Sequence, residues 1–233
     1  MMRSQALRLV ALAATAVSGC ASNPGSWNPA SIAQEPHIYA GGAIGQSSFD
    51  DDIRDIDAGL QGSLGVPITS ATSTLDDSDI GGAIVLGYRM APLFGAEIGY
   101  YRLGKEKYSS DLVGVIQGSP TPINATFEAK TSGVGVSGIA FLPIQQNFEI
   151  YGRGGLFLAS TDLDTAVTAL GSTNGGSTSA DSSDFFVGVG GSFYYNDQWD
   201  IRIEYQRFLD VGNQDTGEAD IDLVGLQVMY SIF

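Results

Sequence analysis

Residues 199–206 alternate strictly between two kinds of side chain: Trp199, Ile201, Ile203 and Tyr205 are apolar, while Asp200, Arg202, Glu204 and Gln206 are polar. Successive side chains of a β-strand point to opposite faces, so this segment makes one wholly greasy face and one strongly ionic face. A half-buried strand of a water-soluble sheet has the same pattern, so the segment alone does not decide what each face meets. The decision comes from its recurrence along the chain and from what lies at the two ends.

The N-terminal end has the form of an export signal over residues 1–20. Arg3 and Arg8 precede an Ala-rich apolar run over residues 9–17, which is too short to cross a bilayer as a helix. Two readings of its end stay open. VSGC (17–20) has the lipobox pattern, in which Cys20 is acylated and becomes the new N-terminus; alternatively an ordinary signal peptidase cuts nearby, for instance after GCA (19–21). Cys20 is the sole cysteine, so no intrachain disulfide can form. Residues 21–36, with three prolines and several small polar residues, read as a periplasmic linker, leaving 37–233 as one domain. Loss of the signal removes two of 11 bases and none of 26 acids, making the chain more acidic than its net −15. Such a chain lacks the basic face that a general nucleic-acid binder needs. No apolar stretch of about 20 residues follows the signal, so a membrane-embedded form must be built of strands.

Eight strands are expected, at roughly 37–48, 79–90, 93–104, 125–142, 148–160, 184–195, 199–209 and 220–233. The gaps between them alternate in length. Short turns are expected at 91–92, 143–147 and 196–198, and long polar loops near 49–78, 105–124, 161–183 and 210–219. An antiparallel up-and-down transmembrane β-barrel sorts its connections this way, with short periplasmic turns and long extracellular loops. One face of each expected strand is free of charge, for example Ile80, Ile84, Leu86 and Tyr88, or Val224, Leu226, Val228 and Tyr230. The opposite faces hold Arg89, Glu97, Glu149, Arg153, Asp200, Arg202 and Glu204, to which Glu128 and Lys130 are assigned. A lipid-facing Arg or Lys costs about 2–4 kcal/mol at the midplane, so the charged face belongs inside. Aromatic residues are expected in two outward belts. Tyr88, Phe94, Phe141, Phe148, Tyr195, Trp199 and Tyr230 would form the periplasmic belt, and Tyr100, Phe127, Phe185 and Tyr205 the outer one.

With its Gly-rich first strand HIYAGGAIG (37–45), its strand–loop rhythm and the ending GLQVMYSIF (225–233), the chain resembles the small eight-stranded outer-membrane β-barrels of the OmpA-like and opacity-protein-like group. The resemblance implies location in a bacterial outer membrane and assembly by the barrel-assembly machinery, with Tyr230 and Phe233 as the C-terminal signal. One departure stands out: such endings usually place an aromatic two residues before the last, where this chain has Ser231. By alternation Ile232, not Phe233, shares a face with Tyr230. No peptidoglycan-binding domain follows the last strand, so that role of longer relatives is not expected.

Motifs with catalytic or cofactor meaning fail on context. GVGVSG (133–138) matches GxGxxG, but a dinucleotide loop must open a helix and here a strand-like IAFLP follows; the glycines are expected to relieve crowding in a narrow barrel. DDDIRDID (50–57) lacks the spacing of a calcium loop and reads as a solvated acidic loop. His37, the sole histidine, falls at the periplasmic start of the first strand, so a Ser nucleophile near the outer leaflet has no histidine to activate it. No enzyme, cofactor or metal is expected.

Two arginines lie one step past an outer-belt tyrosine: Arg102 after Tyr100, and Arg207 after Tyr205. Contact with lipopolysaccharide phosphates and simple snorkelling at the interface are equally good readings. Inside, Glu97, Arg153, Arg202 and Glu204 share a depth and are expected to pair as a closed, salt-bridged plug. The expected protein is therefore a non-enzymatic, monomeric outer-membrane barrel. Its termini are periplasmic and its partners are outer-membrane lipid and lipopolysaccharide. Its acidic loops face outward, with 49–78 and 161–183 available to an extracellular partner, and its work is envelope integrity, adhesion or shielding. The alternatives are a narrow OmpW-like transport barrel for small apolar solutes, which an apolar lumen would favour, and a soluble lipocalin-like binder.

Overall fold

The structure, a computed structural model, describes residues 35–213 and 217–232. Its elements are β1 (His37–Phe49), α1 (Ile53–Leu64), β2 (Ile68–Asp76), β3 (Ser78–Ala91), β4 (Phe94–Ile116), β5 (Ser119–Gln145), β6 (Phe148–Ala169), β7 (Ser172–Tyr194), β8 (Trp199–Asn213) and β9 (Gly217–Ile232). β1 pairs with both β3 and β9, and each remaining strand from β3 to β9 pairs with the next in sequence. The β4–β5 pairing closes the ring, giving an eight-stranded antiparallel up-and-down barrel. β2 stands outside the ring, paired only with the far part of β4, from Ile68 opposite Gly114 to Asp76 opposite Lys107.

The alternation seen in 199–206 holds around the wall. Ile44, Ile80, Ile84, Ile203 and Val189 face outward and are mostly exposed, Ile84 by 73%. Arg89, Glu97, Glu149, Arg153, Asp200, Arg202 and Glu204 are all buried inside. A continuous apolar outer face on a wall with a charged interior is the inverse of a soluble protein, which excludes the lipocalin-like reading.

β5 reverses the expected phase. Its odd-numbered side chains point inward, so Glu128 and Lys130 lie on the outside, and Phe127 and Phe141 lie within. Phe141 is 3% exposed, with the Arg89 guanidinium carbon 3.9 Å from its ring centre. The cause is crowding. The inward positions of the GVGVSG segment are Gly133, Gly135 and Ser137, and a Cβ on Gly133 would fall 2.8 Å from Phe157 Cζ and 2.2 Å from the Leu158 carbonyl oxygen. Only the odd phase leaves room for the large rings of β4, β6 and β7. It turns the even-numbered Val134, Val136, Ala140 and Leu142 outward, while the outward charges of Glu128 and Lys130 fall beyond the apolar band.

Three of the four expected long loops are largely strand. β4 and β5 continue to a two-residue turn at Gln117–Gly118, and β6 and β7 to one at Leu170–Gly171. Both central residues of each turn have positive φ (52° and 80°, 52° and 77°), as hairpin turns of the I′ class require. Likewise β8 runs to Asn213 and β9 starts at Gly217. Extended chain was hidden by its Ser/Thr/Gly content, yet Thr161, Leu163, Thr165 and Val167 keep the inward alternation of β6. Long structureless segments are uncommon, and the ladder satisfies their backbone groups. The connections at the other rim are short, at 92–93, 146–147 and 195–198.

The 49–78 segment carries α1 as well as β2, so the acidic run is loop only over 50–52 and opens a helix over 53–57. Asp52 is the N-cap, accepting a hydrogen bond from the Arg54 amide at 2.9 Å; Asp55 lies in the first turn, and Gly65 ends the helix with φ of 63°. Carboxylates at a helix N-terminus satisfy free amides and oppose its positive dipole end. Leu60 and its apolar neighbours Ile53, Ile56 and Leu64 pack on Tyr108, Leu112 and Ile123 of the projecting hairpins, seating α1 over the barrel mouth.

Candidate functional site

Inside the ring the structure brings Glu97, Arg153, Arg202 and Glu204 together. Arg153 lies between Glu97, with Nη1 to Oε2 at 2.7 Å, and Glu204, with Nε to Oε1 at 2.5 Å. Arg202 lies between Glu97 at 2.9 Å and Asp200 at 2.9 Å. Neutral donors finish the carboxylates: Tyr39 Oη donates to Glu97 at 2.6 Å, Tyr151 Oη to Glu204 at 3.0 Å, and Gln227 Nε2 to Glu204 at 2.5 Å. Nearer the short-turn rim a second group forms. Arg89 makes two bonds of 2.9 Å to Glu149, whose Oε1 also accepts from Tyr194 Oη at 2.5 Å. Three guanidiniums thus face four carboxylates, all of them buried. Charges buried this way are tolerable only when each has partners of opposite sign and good geometry.

Above the ionic layer lies an aromatic one that alternation alone did not reveal. Phe186 and Phe208 stack at 5.2 Å, and Tyr101 makes edge contacts with both and with Phe157, at 5.6–6.0 Å. Leu103, Ile221 and Leu223 complete it. Tyr101 Oη accepts from Arg153 Nη1 at 3.3 Å, tying the layers together. Ion pairs and rings thus occupy the lumen in two successive layers.

The two outward arginines have different surroundings. The Arg207 guanidinium is held by Asp220 (2.6 Å), Asp50 (3.2 Å) and Asp222 (3.3 Å), and its hydrogen bond to Asp220, with the charge of Asp222, raises its pKa further. Arg102 is exposed and begins a basic patch. Beyond it on the outer face of β4 and β5 come Lys105, Lys107 and Lys130, the three lysines of the chain. Lys105 stands opposite Lys130 across the strands; Lys107 and Lys130 both contact Glu128, at 3.1 and 3.0 Å, and Lys130 also reaches Asp164 at 3.3 Å. The signal for this patch was present in the spacing of 102, 105 and 107, but the reversed phase of β5 concealed Lys130.

His37 is buried at the short-turn rim with Nδ1 donating to the Glu35 carbonyl at 2.9 Å, far along the wall from the projecting hairpins. Tyr230 packs against Trp199 at 4.9 Å and its hydroxyl accepts from Gln198 Nε2 at 3.2 Å. Ser231 points inward and Ile232 outward, as the alternation requires. Cys20 and Phe233 lie outside the described residues.

The family model described as OmpA-like transmembrane domain matches residues 33–233. Outer membrane protein A of Yersinia pseudotuberculosis is 27% identical over 198 residues, which are 82% of this chain and 47% of that protein. The chain therefore spans about half the length of this curated relative. Among solved structures, Neisserial surface protein A is similar with a TM-score of 0.49 and 16% identity, covering 85% of this chain and all of that one. Ail, the attachment invasion locus protein of Yersinia pestis, gives 0.42 and 15%, covering 84% and 97%. An apolar-walled, eight-stranded ring and a family match over the whole of that ring agree, and the chain belongs to the OmpA-like transmembrane domain family of outer-membrane β-barrels.

Proposed function

We propose that this protein is a closed, non-enzymatic structural barrel that strengthens the outer membrane and carries stiff acidic hairpins at the cell surface. The observation carrying this reading is Arg153, clamped between Glu97 and Glu204 across the lumen. Opening a pore there means separating buried charges and moving the aromatic layer above them as well. The ionic layer also counts against an OmpW-like path for apolar solutes. His37 at the short-turn rim supplies no base to the serines of the hairpins, which supports a non-catalytic role.

The termini are placed in the periplasm and the hairpins outside, the orientation of barrels with short turns on one rim. The partners proposed are outer-membrane lipid, lipopolysaccharide at Arg102, the barrel-assembly machinery through the last strand, and an extracellular partner at 49–78 or 161–183. The protein acts as a monomer, anchored in addition through Cys20 if that residue is acylated. Folded protein in planar bilayers tests the closed lumen: we expect no sustained single-channel conductance, and steady openings would sink the proposal. Protease shaving of whole cells that cuts within 49–78, and spares the 92–93, 146–147 and 195–198 turns, is the result expected for the orientation.

A further inference from the structure

Beneath α1, between the aromatic layer and the projecting hairpins, lies a cavity of about 290 Å³. That is near the small end of ligand pockets, about 300–1,000 Å³. Its walls are mainly apolar, with Phe49, Ile56, Tyr108, Phe127, Leu163 and Ile221 among them. Two carboxyl groups from different elements meet at its edge: Asp51, just before α1, and Glu106 of β4. Glu106 is only 8% exposed, and its Oε1 is buried without a hydrogen-bond partner. Glu218 also lines the space, and no Lys, Arg or His is among the described residues that do. An apolar chamber whose paired carboxyls leave one buried oxygen without a partner, with no basic side chain in its described walls, is complementary to a cation that carries its own apolar body.

We propose that this chamber binds a small amphipathic organic cation, its ammonium on the Asp51–Glu106 pair and its apolar part against Tyr108, Phe127 and Leu163. Among the described residues, no group of three or more acidic, His or Cys side chains is placed to hold a metal, so a bare divalent ion lacks its usual oxygen shell. An ammonium donates up to three hydrogen bonds, enough to serve both carboxylates. Without a ligand the pair retains a proton. Burial first, then the charge of Asp51 and that of Asp77, push the Glu106 carboxyl up to about 8. Asp51 is itself raised by burial and by Asp50 and Asp55. Every charged group acting on the pair is thus an acid, and a bound ammonium takes the place of the shared proton.

The test is calorimetric titration of the full chain, folded in zwitterionic phospholipid nanodiscs, with 2-phenylethylamine and with its neutral counterpart 2-phenylethanol. The amine is expected to bind and the alcohol not. Amine affinity should climb roughly tenfold for each unit by which pH rises toward the Glu106 pKa and level off above it, with proton release seen as buffer-dependent heat. Glu106→Gln should weaken amine binding about tenfold or more at pH 8.5 and remove the pH dependence. Equal binding of amine and alcohol would overturn the proposal. So would Glu106→Gln behaving as wild type, which would mark mere attraction to an acidic surface. If the variant does not fold, the wild-type pH profile and the alcohol comparison still decide.

Discussion

Arg89 and Glu149, 60 residues apart in sequence, face each other through two hydrogen bonds of 2.9 Å with both side chains 1% exposed. They join β3 to β6 across the lumen, a contact that no strand pairing makes. Removing one partner leaves the other charged, buried and without its counter-ion. Arg89→Met or Glu149→Gln should each cost about 3–5 kcal/mol in urea unfolding from lipid vesicles. The double change Arg89→Met/Glu149→Leu should recover most of that loss, because a buried ion pair is often no more stabilising than apolar side chains of similar volume. If the double variant is as unstable as the sum of the singles, the pair is not coupled as the geometry implies.

Crowding inside the wall makes a sharper test of the β5 phase. A methyl on Gly133 would meet the Leu158 carbonyl oxygen at 2.2 Å, whereas one on Gly138 has nothing within 4 Å. We expect Gly133→Ala to destabilise the barrel by about 1–3 kcal/mol. Gly138→Ala should stay within about 0.5 kcal/mol of wild type. Equal effects at the two sites, read from heat-modifiable migration and urea midpoints, would put β5 back in the opposite phase.

Seating of α1 should depend on pH. The raised Glu106 carboxyl binds a proton more tightly in the seated state than its ordinary value of 4.5 implies. The seated state therefore takes up protons between pH 4.5 and about 8, so its stability is greatest at acid pH and falls as pH rises through that window. Tryptic cleavage after Arg54, inside α1, reports unseating. The ratio of wild-type to Glu106→Gln cleavage rates should climb from pH 6 to pH 8.5. A flat ratio would show that Glu106 does not control the helix.

The contrast between Arg102 and Arg207 gives a fourth expectation. Arg207 already has three aspartates, whereas Arg102 opens onto three lysines. Replacing Arg102, Lys105, Lys107 and Lys130 by Gln should weaken co-purification with lipopolysaccharide several-fold and flatten its salt dependence. Arg207→Gln should leave lipopolysaccharide unchanged and instead loosen the Asp50 end of the 49–78 segment. Unaltered lipopolysaccharide binding in the fourfold variant would reduce Arg102 to a snorkelling side chain.

The ring and its charged interior were legible because strands such as 199–206 mark both faces with unambiguous side chains. β5 was not legible, because Gly133, Val134, Gly135 and Val136 say little about which face is which. The charges that seemed to orient it, Glu128 and Lys130, lie beyond the lipid, where outward charge costs almost nothing. The inner aromatic layer was hidden for a related reason: Phe157, Phe186 and Phe208 point inward from strands whose other face is equally apolar, and periodicity cannot choose between two apolar faces. Glu97, Arg153, Arg202 and Glu204 are assignable to the inner face from their charge alone. Tyr39, Tyr151 and Gln227, which complete their hydrogen bonding, are ordinary on a sequence and became identifiable only through contact.

The 27 residues of β5 amount to about 90 Å of chain at roughly 3.3 Å per residue, and a tilt near 40° leaves about 70 Å of height. The apolar band takes up only about 25 Å of that. What stands above the lipid is a palisade held by cross-strand pairing, not a set of tethered ribbons. An antibody raised against a free peptide of residues 161–183 would meet a chain without that shape. Recognition of the intact surface must instead read side chains from neighbouring strands, such as Lys130 and Asp164, that are far apart in sequence and adjacent only while the wall stands.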